Sequence, residues 1–225
     1  IPSASRVDRL KNDKFCVECW FRLDANALSA ENVIFCKWGN YINGSSFGTN
    51  GSKYSYQFSV ESDGRAVWRI GNGSNFQTQY GNTTIAEETW YHVAMVNDND
   101  YLIMYINGTM QSSTPSVSYR GDSGDTWPHI IGGYWNNGGT GDFGIAYPFK
   151  GRVSNFRYNN TEQVYNTTFT PATENLTLTS QGSTASKVNI LCCNGVNRWG
   201  DETKGNIHGD SGEEEVIKCG TWDGR

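Results

Sequence analysis

The run Trp90-Tyr91-His92-Val93-Ala94-Met95-Val96, the polar step Asn97-Asp98-Asn99-Asp100 and the run Tyr101-Leu102-Ile103-Met104-Tyr105-Ile106-Asn107-Gly108 together decide the fold class. Two aromatic and β-branched stretches of strand length flank four turn residues, which reads as a β-hairpin with a four-residue loop. Asn107-Gly108 opens the next turn, because both residues accept positive φ at little cost. Hairpins repeated in this way build an antiparallel sandwich.

Outward from that hairpin the same grammar recurs. Residues 15–23 set Phe, Val, Cys, Phe and Leu against Cys, Glu, Trp and Arg, the alternation of a strand with one buried face. Residues 33–38 form a second strand. Residues 54–60 and 65–70 flank Glu61-Ser62-Asp63-Gly64, another hairpin. Residues 39–53 and 121–144 are Gly- and Asn-rich loops, the second interrupted by a short strand at 129–132. A late strand at 149–158, a closing segment at 165–171 and an apolar strand at 187–193 follow. No amphipathic helix stands out. The expectation is an all-β, antiparallel two-sheet jelly-roll sandwich with little or no helix. Residues 1–14 read as an arm and 15–195 as the jelly roll. Residues 196–225 read as a polar, acidic extension carrying Glu213-Glu214-Glu215, either strand-completing or in contact with another subunit.

Composition narrows the function. A net charge of -5, with no run of Lys and Arg, excludes general attraction to nucleic-acid phosphates. No apolar stretch approaches the roughly 20 residues of a membrane-spanning helix, so no membrane insertion is expected. A start at Ile1 without Met or signal peptide reads as a processed, mature or partial chain.

Six cysteines, Cys16, Cys19, Cys36, Cys192, Cys193 and Cys219, allow 15 pairings that sequence cannot choose among. Cys16 and Cys19 fall on opposite faces of one strand, which weakens a C-x-x-C metal reading, and adjacent Cys192 and Cys193 are expected to point oppositely too. Two or three structural disulfides in an oxidising compartment are one reading. Small buried apolar thiols are the other. Asn-x-Ser/Thr acceptors for glycosylation stand at Asn43, Asn50, Asn72, Asn82, Asn107, Asn159, Asn166 and Asn175.

Catalysis finds no pattern to rest on. A glycoside hydrolase needs two carboxylates about 5–5.5 Å apart for retention, hence acidic residues at i and i+2 or i+4 of a strand. Glu18 is alone in its strand and Glu87-Glu88 face opposite ways. His92 belongs to the opening strand and reads as structural, and no Ser–His–Asp arrangement can be proposed. The chain is expected not to be an enzyme.

Several segments in chain order resemble the laminin G-like/concanavalin A-like family. They are Phe15-Cys16-Val17-Glu18-Cys19-Trp20-Phe21, Trp90-Tyr91-His92-Val93-Ala94, Tyr105-Ile106-Asn107-Gly108, Ile131-Gly132-Gly133 and Phe149-Lys150-Gly151-Arg152-Val153-Ser154-Asn155-Phe156-Arg157. The family reads there, loosely, as F-T-V-E-x-W, W-Y-H-V-A, Y-I-N-G, I-G-G and F-x-G-x-I-D-x-V-R. Cys16, Cys19 and Ser154-Asn155 depart from it. Tyr165-Asn166-Thr167-Thr168-Phe169-Thr170-Pro171 resembles the Y-x-x-N-F-T-P close of the branch found in phage structural and tail proteins. Residues 188–195 and Asp201-Glu202-Thr203 are similar to the segment that normally opens such a domain, yet stand at its end. That order implies a domain cut from a tandem array, a permuted domain, or a strand donated to a neighbouring subunit.

The resemblance implies surface or glycan binding, with sugar held by loop Asp, Asn and Gly beside an aromatic platform. Asp122, Asp125, Trp127, Tyr134, Trp135, Asn136, Asn137 and Asp142 have that composition. The other reading is ordinary jelly-roll loops, with Trp127 or Trp135 packing on the end of the sandwich. Asp122, Asp125 and Asp142 also supply the hard oxygens that calcium prefers. The expected function is a non-catalytic structural or adhesion protein of a virion or extracellular assembly, with glycans or cell-surface polysaccharide and other subunits as partners. The alternatives are a stand-alone secreted lectin-like module dependent on calcium and, last, a glycoside hydrolase of the same sandwich.

Overall fold

The computed structural model describes residues 14–40, 52–71, 76–98, 101–115, 129–137 and 143–194, together with strands at 204–208 and 214–218. The strands in chain order are β1 (Phe15–Leu23), β2 (Asn32–Asn40), β3 (Ser52–Val60), β4 (Arg65–Gly71) and β5 (Phe76–Thr84). Then come β6 (Trp90–Asn97), β7 (Tyr101–Ile106), β8 (Thr109–Pro115), β9 (Ile130–Ile131) and β10 (Tyr134–Asn137). The last are β11 (Phe143–Ala146), β12 (Gly151–Asn160), β13 (Val188–Cys192), β14 (Lys204–His208) and β15 (Glu214–Lys218). Three short 3-10 turns are the helical content of the described residues, and none is long and apolar enough to cross a membrane.

Two sheets form the expected sandwich. The first runs β15-β14-β13-β12-β1-β6-β7-β8 and the second β11-β10-β2-β3-β4-β5, with β9 beside β2. Pairing is antiparallel apart from a short parallel contact of β10 with β2. Alternation along β1 sends Phe15, Val17, Cys19, Phe21 and Leu23 inward to meet Tyr56, Phe58 and Val60 of β3 and Ala66, Trp68 and Ile70 of β4. Phe35 sits at the centre, stacked on Phe58 at 5.5 Å and edge-on to Phe156 at 5.4 Å. Each such ring contributes about 1.5–3 kcal/mol by burial.

The next hairpin, β7–β8, turns through Asn107 and Gly108, whose φ of 51° and 75° are those a two-residue hairpin of matching twist requires. Only glycine fits the second position for another reason as well. A Cβ on Gly108 would lie 1.8 Å from the carbonyl oxygen of Phe169, whose own N–H donates to Gly108 O at 3.1 Å. At the far side of the sandwich the edge strands β5 and β8 are joined by Gln111. Its Oε1 accepts from the N–H groups of Asn82 and Thr83, at 3.2 and 2.8 Å.

Three sequence expectations need correction. First, β1 is buried on both faces, not one: Cys16 and Glu18 are as inaccessible as Phe15 and Val17. Residues 161–187 lie across the outer face of the first sheet, where Val164, Tyr165 and Phe169 pack over Cys16, Ala94, Val96, Ile103 and Tyr105. Second, Cys192 and Cys193 do not point to opposite faces. The strand ends at Cys192, Cys193 adopts φ 61°, and both side chains pack against the main core. Third, the strand at 188–192 is not held out for a neighbour. It pairs with β12 of its own sheet and buries Val188, Ile190 and Cys192. β14 and β15 extend the same sheet beyond it.

Candidate functional site

The two outer faces of the sandwich carry different polar chemistry. On the first sheet, β1 presents Glu18, β6 His92 and β12 Arg157, brought side by side by the registers Glu18↔Arg157 and Trp20↔His92. Arg157 donates Nε and Nη2 to Glu18 Oε1, at 2.8 and 2.5 Å. His92 Nε2 and the Tyr165 hydroxyl donate to Oε2, at 3.1 and 2.7 Å. The remaining Arg157 nitrogen holds the Thr177 and Ser180 carbonyls of the covering segment, at 3.2 and 2.8 Å. Trp20 Nε1 donates to Ala172 O at 2.9 Å, and Tyr165 stacks on Phe169 at 3.6 Å. Burial would raise the Glu18 carboxyl, but the donors His92, Arg157 and Tyr165 hold it below its ordinary value. Burial and the Glu18 charge push the Tyr165 phenol far up. Glutamate, histidine and tyrosine in contact resemble an acid–base set, yet Glu18, Arg157 and His92 are at most 1% exposed. Substrate has no approach to it, and its geometry is that of a latch for residues 161–187.

The second sheet is dressed differently. Tyr56, Phe58, Val60, Ala66, Trp68 and Ile70 turn inward, so Gln57 and Ser59 of β3 and Arg65, Val67 and Arg69 of β4 turn outward. The rows Gln57↔Arg69↔Thr78 and Ser59↔Val67↔Tyr80 continue onto β5. Arg69 Nη1 donates to Glu31 Oε1 at 2.5 Å and to Ser59 Oγ at 3.0 Å, and Nη2 to Glu61 Oε1 at 3.2 Å. Ser59 Oγ and Gln57 Nε2 also donate to Glu31 Oε1, at 2.7 and 3.3 Å. Beside this cluster the Arg65 guanidinium lies 4.5 Å over the Tyr80 ring, a solvent-screened cation–π contact. Arg65 also pairs with Asp63 and Glu61. The Arg65 backbone N–H and guanidinium hold the Asp63 carboxyl below its ordinary value. Tyr80 and Phe76 share this face of β5 and are 44% and 46% exposed. The result is a surface on which two exposed rings and Arg65 stand beside the partly exposed Thr78, Arg69, Glu31 and Glu61, with Gln57 and Ser59 buried beneath as partners of Glu31 and Arg69.

Of the residues expected to bind sugar, Asp122, Asp125, Trp127 and Asp142 lie outside the described residues. Tyr134, Trp135, Asn136 and Asn137 form β10, between β2 and β11, and are described in backbone only. The calcium candidates Asp122, Asp125 and Asp142 therefore lie outside as well. Among the described residues no group of three His, Cys, Asp or Glu could hold a metal ion. No disulfide joins the described cysteines Cys16, Cys19, Cys36, Cys192 and Cys193, and Cys219 lies outside. Cys16 faces the covering segment and Cys19 the core, as their spacing implies. Asn82, Asn107, Asn166 and Asn175 are exposed, while Asn43, Asn50 and Asn72 lie outside the described residues. Asn159 is fully buried, and its Nδ2 donates to Ser183 Oγ at 2.5 Å and Glu162 Oε2 at 2.7 Å. The folded chain has no room for a sugar there, which removes Asn159 from the acceptor set. The residues that sequence reasoning missed are Glu31, Gln57, Ser59, Arg69, Phe76 and Tyr80. For Gln57, Ser59 and Arg69 the signal was the outward alternation of β3 and β4; Phe76 and Tyr80 on β5 and Glu31 ahead of β2 carried none.

Several solved structures share this fold at low sequence identity. The Ruminococcus gnavus IT-sialidase CBM40 matches with a TM-score of 0.50 and 15% identity, over 70% of this chain and 80% of that one. The same module bound to α2,3 sialyllactose matches with 0.47 and 16% identity, over 62% and 71%. A heptameric SAP-like pentraxin from Limulus polyphemus matches with 0.43 and 16% identity, over 65% and 63%. At these identities the likeness is one of fold. No curated protein matches the sequence. A laminin G profile described as the concanavalin A-like lectin/glucanases superfamily matches residues 2–173, and the chain belongs to that superfamily.

Proposed function

We propose that this chain is a non-catalytic glycan-binding module that serves adhesion or surface structure, and that the outer face of β3, β4 and β5 is its recognition surface. The observation that carries the reading is the placement of Phe76 and Tyr80, both exposed, on the same face as Arg65, Arg69 and Thr78, all reached by solvent. Aromatic rings stack on the apolar faces of sugars while short polar groups take the hydroxyls. Both guanidiniums of this face already meet carboxylates, so hydroxyl-rich neutral sugars suit it better than anionic ones. Glu31 and Glu61 both accept from Arg69, which supports a role as its structural partners rather than as a catalytic pair. The sugar-binding module among the structures of like fold agrees with this reading.

The loop residues Asp122, Asp125, Trp127 and Asp142 and the β10 residues Tyr134, Trp135, Asn136 and Asn137 belong to the proposal as further contacts. Calcium on Asp122, Asp125 and Asp142 is its cofactor arm. The resemblance of Tyr165–Pro171 to the phage branch supports placement on a virion or another extracellular assembly, among other subunits. The test is a glycan array run with calcium and with chelator, paired with native mass measurement. Binding that falls in Tyr80→Ala and Arg69→Ala supports the reading. Absence of binding across the array, or binding indifferent to both substitutions, removes it.

A further inference from the structure

Adjacent residues of a strand point to opposite faces, so neighbouring cysteines ordinarily keep their sulfurs apart. Here β13 stops at Cys192 and Cys193 turns into the left-handed region at φ 61°. That turn folds the second side chain back onto the same core as the first and leaves the two Sγ atoms 3.8 Å apart. Asn155 N–H holds the Cys193 carbonyl in this position at 2.9 Å, with Ser154 Oγ at 3.4 Å. The two sulfurs are therefore held in contact by backbone geometry.

Of the other described thiols, Cys19 is the nearest rival: it faces the same core, and the Cys193 sulfur acts on its thiol. It lies on β1, however, with β12 between β1 and β13, and two strand spacings are about 10 Å between Cα atoms, against the roughly 7 Å that a disulfide bridges. Cys16 faces the opposite side of the first sheet. Cys36 belongs to the second sheet, with its thiol directed to Gly133 O at 3.2 Å.

We propose that Cys192 and Cys193 form a vicinal dithiol that a low-molecular-weight disulfide of the glutathione class closes to an intra-strand-end disulfide. The Cys193 thiolate, which is the more exposed of the two, attacks one sulfur of the oxidant and releases one glutathione thiol. The Cys192 thiolate then displaces the second glutathione, so one S–S bond breaks, one forms, and two protons are released to solvent or to the departing thiolates. Closure brings the sulfurs from contact to about 2.05 Å between residues whose Cα atoms are only about 3.8 Å apart. Such a bridge is strained, so it reopens more easily than an ordinary structural disulfide.

The experiment uses the full folded chain equilibrated with oxidised glutathione, then denatured in a maleimide and digested with trypsin. Cleavage after Lys187 and Arg198 isolates both cysteines in one peptide of residues 188–198, and cleavage after Lys218 puts Cys219 in another. The expected result is an unlabelled 188–198 peptide two hydrogen masses light, which takes two labels once mild reductant precedes the maleimide. Cys219→Ser should leave that result unchanged, whereas Cys193→Ser should leave Cys192 open to label or glutathione. Two labels on the oxidised 188–198 peptide, or its linkage to the peptide of residues 15–22 that carries Cys19 or to the peptide carrying Cys219, would overturn the proposal.

Discussion

The outer faces of the two sheets use the same kinds of group to opposite ends. On the first sheet Glu18 and Arg157 are sealed beneath residues 161–187, with every carboxylate oxygen accepting from a named donor. On the second sheet Glu31, Glu61, Arg65 and Arg69 stand beside two exposed rings. A buried charge whose partner is removed is costly, whereas a charge reached by water can be rearranged around a ligand. The comparison separates architecture from recognition: exposure decides which cluster is a site.

The sharpest way to break that comparison is Glu18→Ala, which leaves Arg157 and Tyr165 facing a lost acceptor under the covering segment. It should cost about 3–5 kcal/mol in urea unfolding, and a loss under 1 kcal/mol would deny the latch. Acid probes the same group. The Glu18 carboxyl is lowered in the folded state, so its contribution is complete above its unfolded value of about 4.3 and falls away as pH drops through the lower folded value. Midpoints should therefore decline more steeply below about pH 4 in the parent chain than in Glu18→Gln. Gly108→Ala places a methyl against Phe169 O at a positive φ and should cost more than about 1 kcal/mol, with faster hydrogen exchange in residues 161–187. Tyr80→Ala on the second sheet should weaken sugar binding roughly tenfold, equivalent to about 1.4 kcal/mol, and change stability by under about 1 kcal/mol. Arg65→Ala, which removes only the stacking partner of Tyr80 and exposed ion pairs, should have the smallest effect on both.

Much of the sandwich was legible in local pattern. Phe15–Leu23, Trp90–Asn97 and Tyr101–Ile106 carry enough aromatic and β-branched residues to declare themselves, and Asn107-Gly108 marks its turn by residue type alone. Phe76–Thr84, by contrast, reads FQTQYGNTT and is almost wholly polar. It is an edge strand whose outer side meets Gln111 and solvent, so no apolar alternation was needed to hold it. The double burial of β1 was hidden for another reason. What covers Cys16 and Glu18 comes from residues 161–187, more than 140 positions away, and lacks a repeating pattern of its own. The candidate site was less legible than the fold. Loop composition pointed to Asp122, Asp125, Trp127, Tyr134, Trp135, Asn136, Asn137 and Asp142, whereas Arg69 meets Glu31 and Glu61 only once β2, β3 and β4 lie in register.

The most direct test of the central claim is a ¹⁵N NMR titration of the folded chain with a neutral oligosaccharide selected from the glycan array. Recognition by the second sheet predicts shifts clustered at Gln57, Arg69, Phe76 and Tyr80, with the amides of Glu18, His92 and Tyr165 unmoved. Shifts confined to other surfaces, or a spectrum unchanged by every sugar offered, would contradict it.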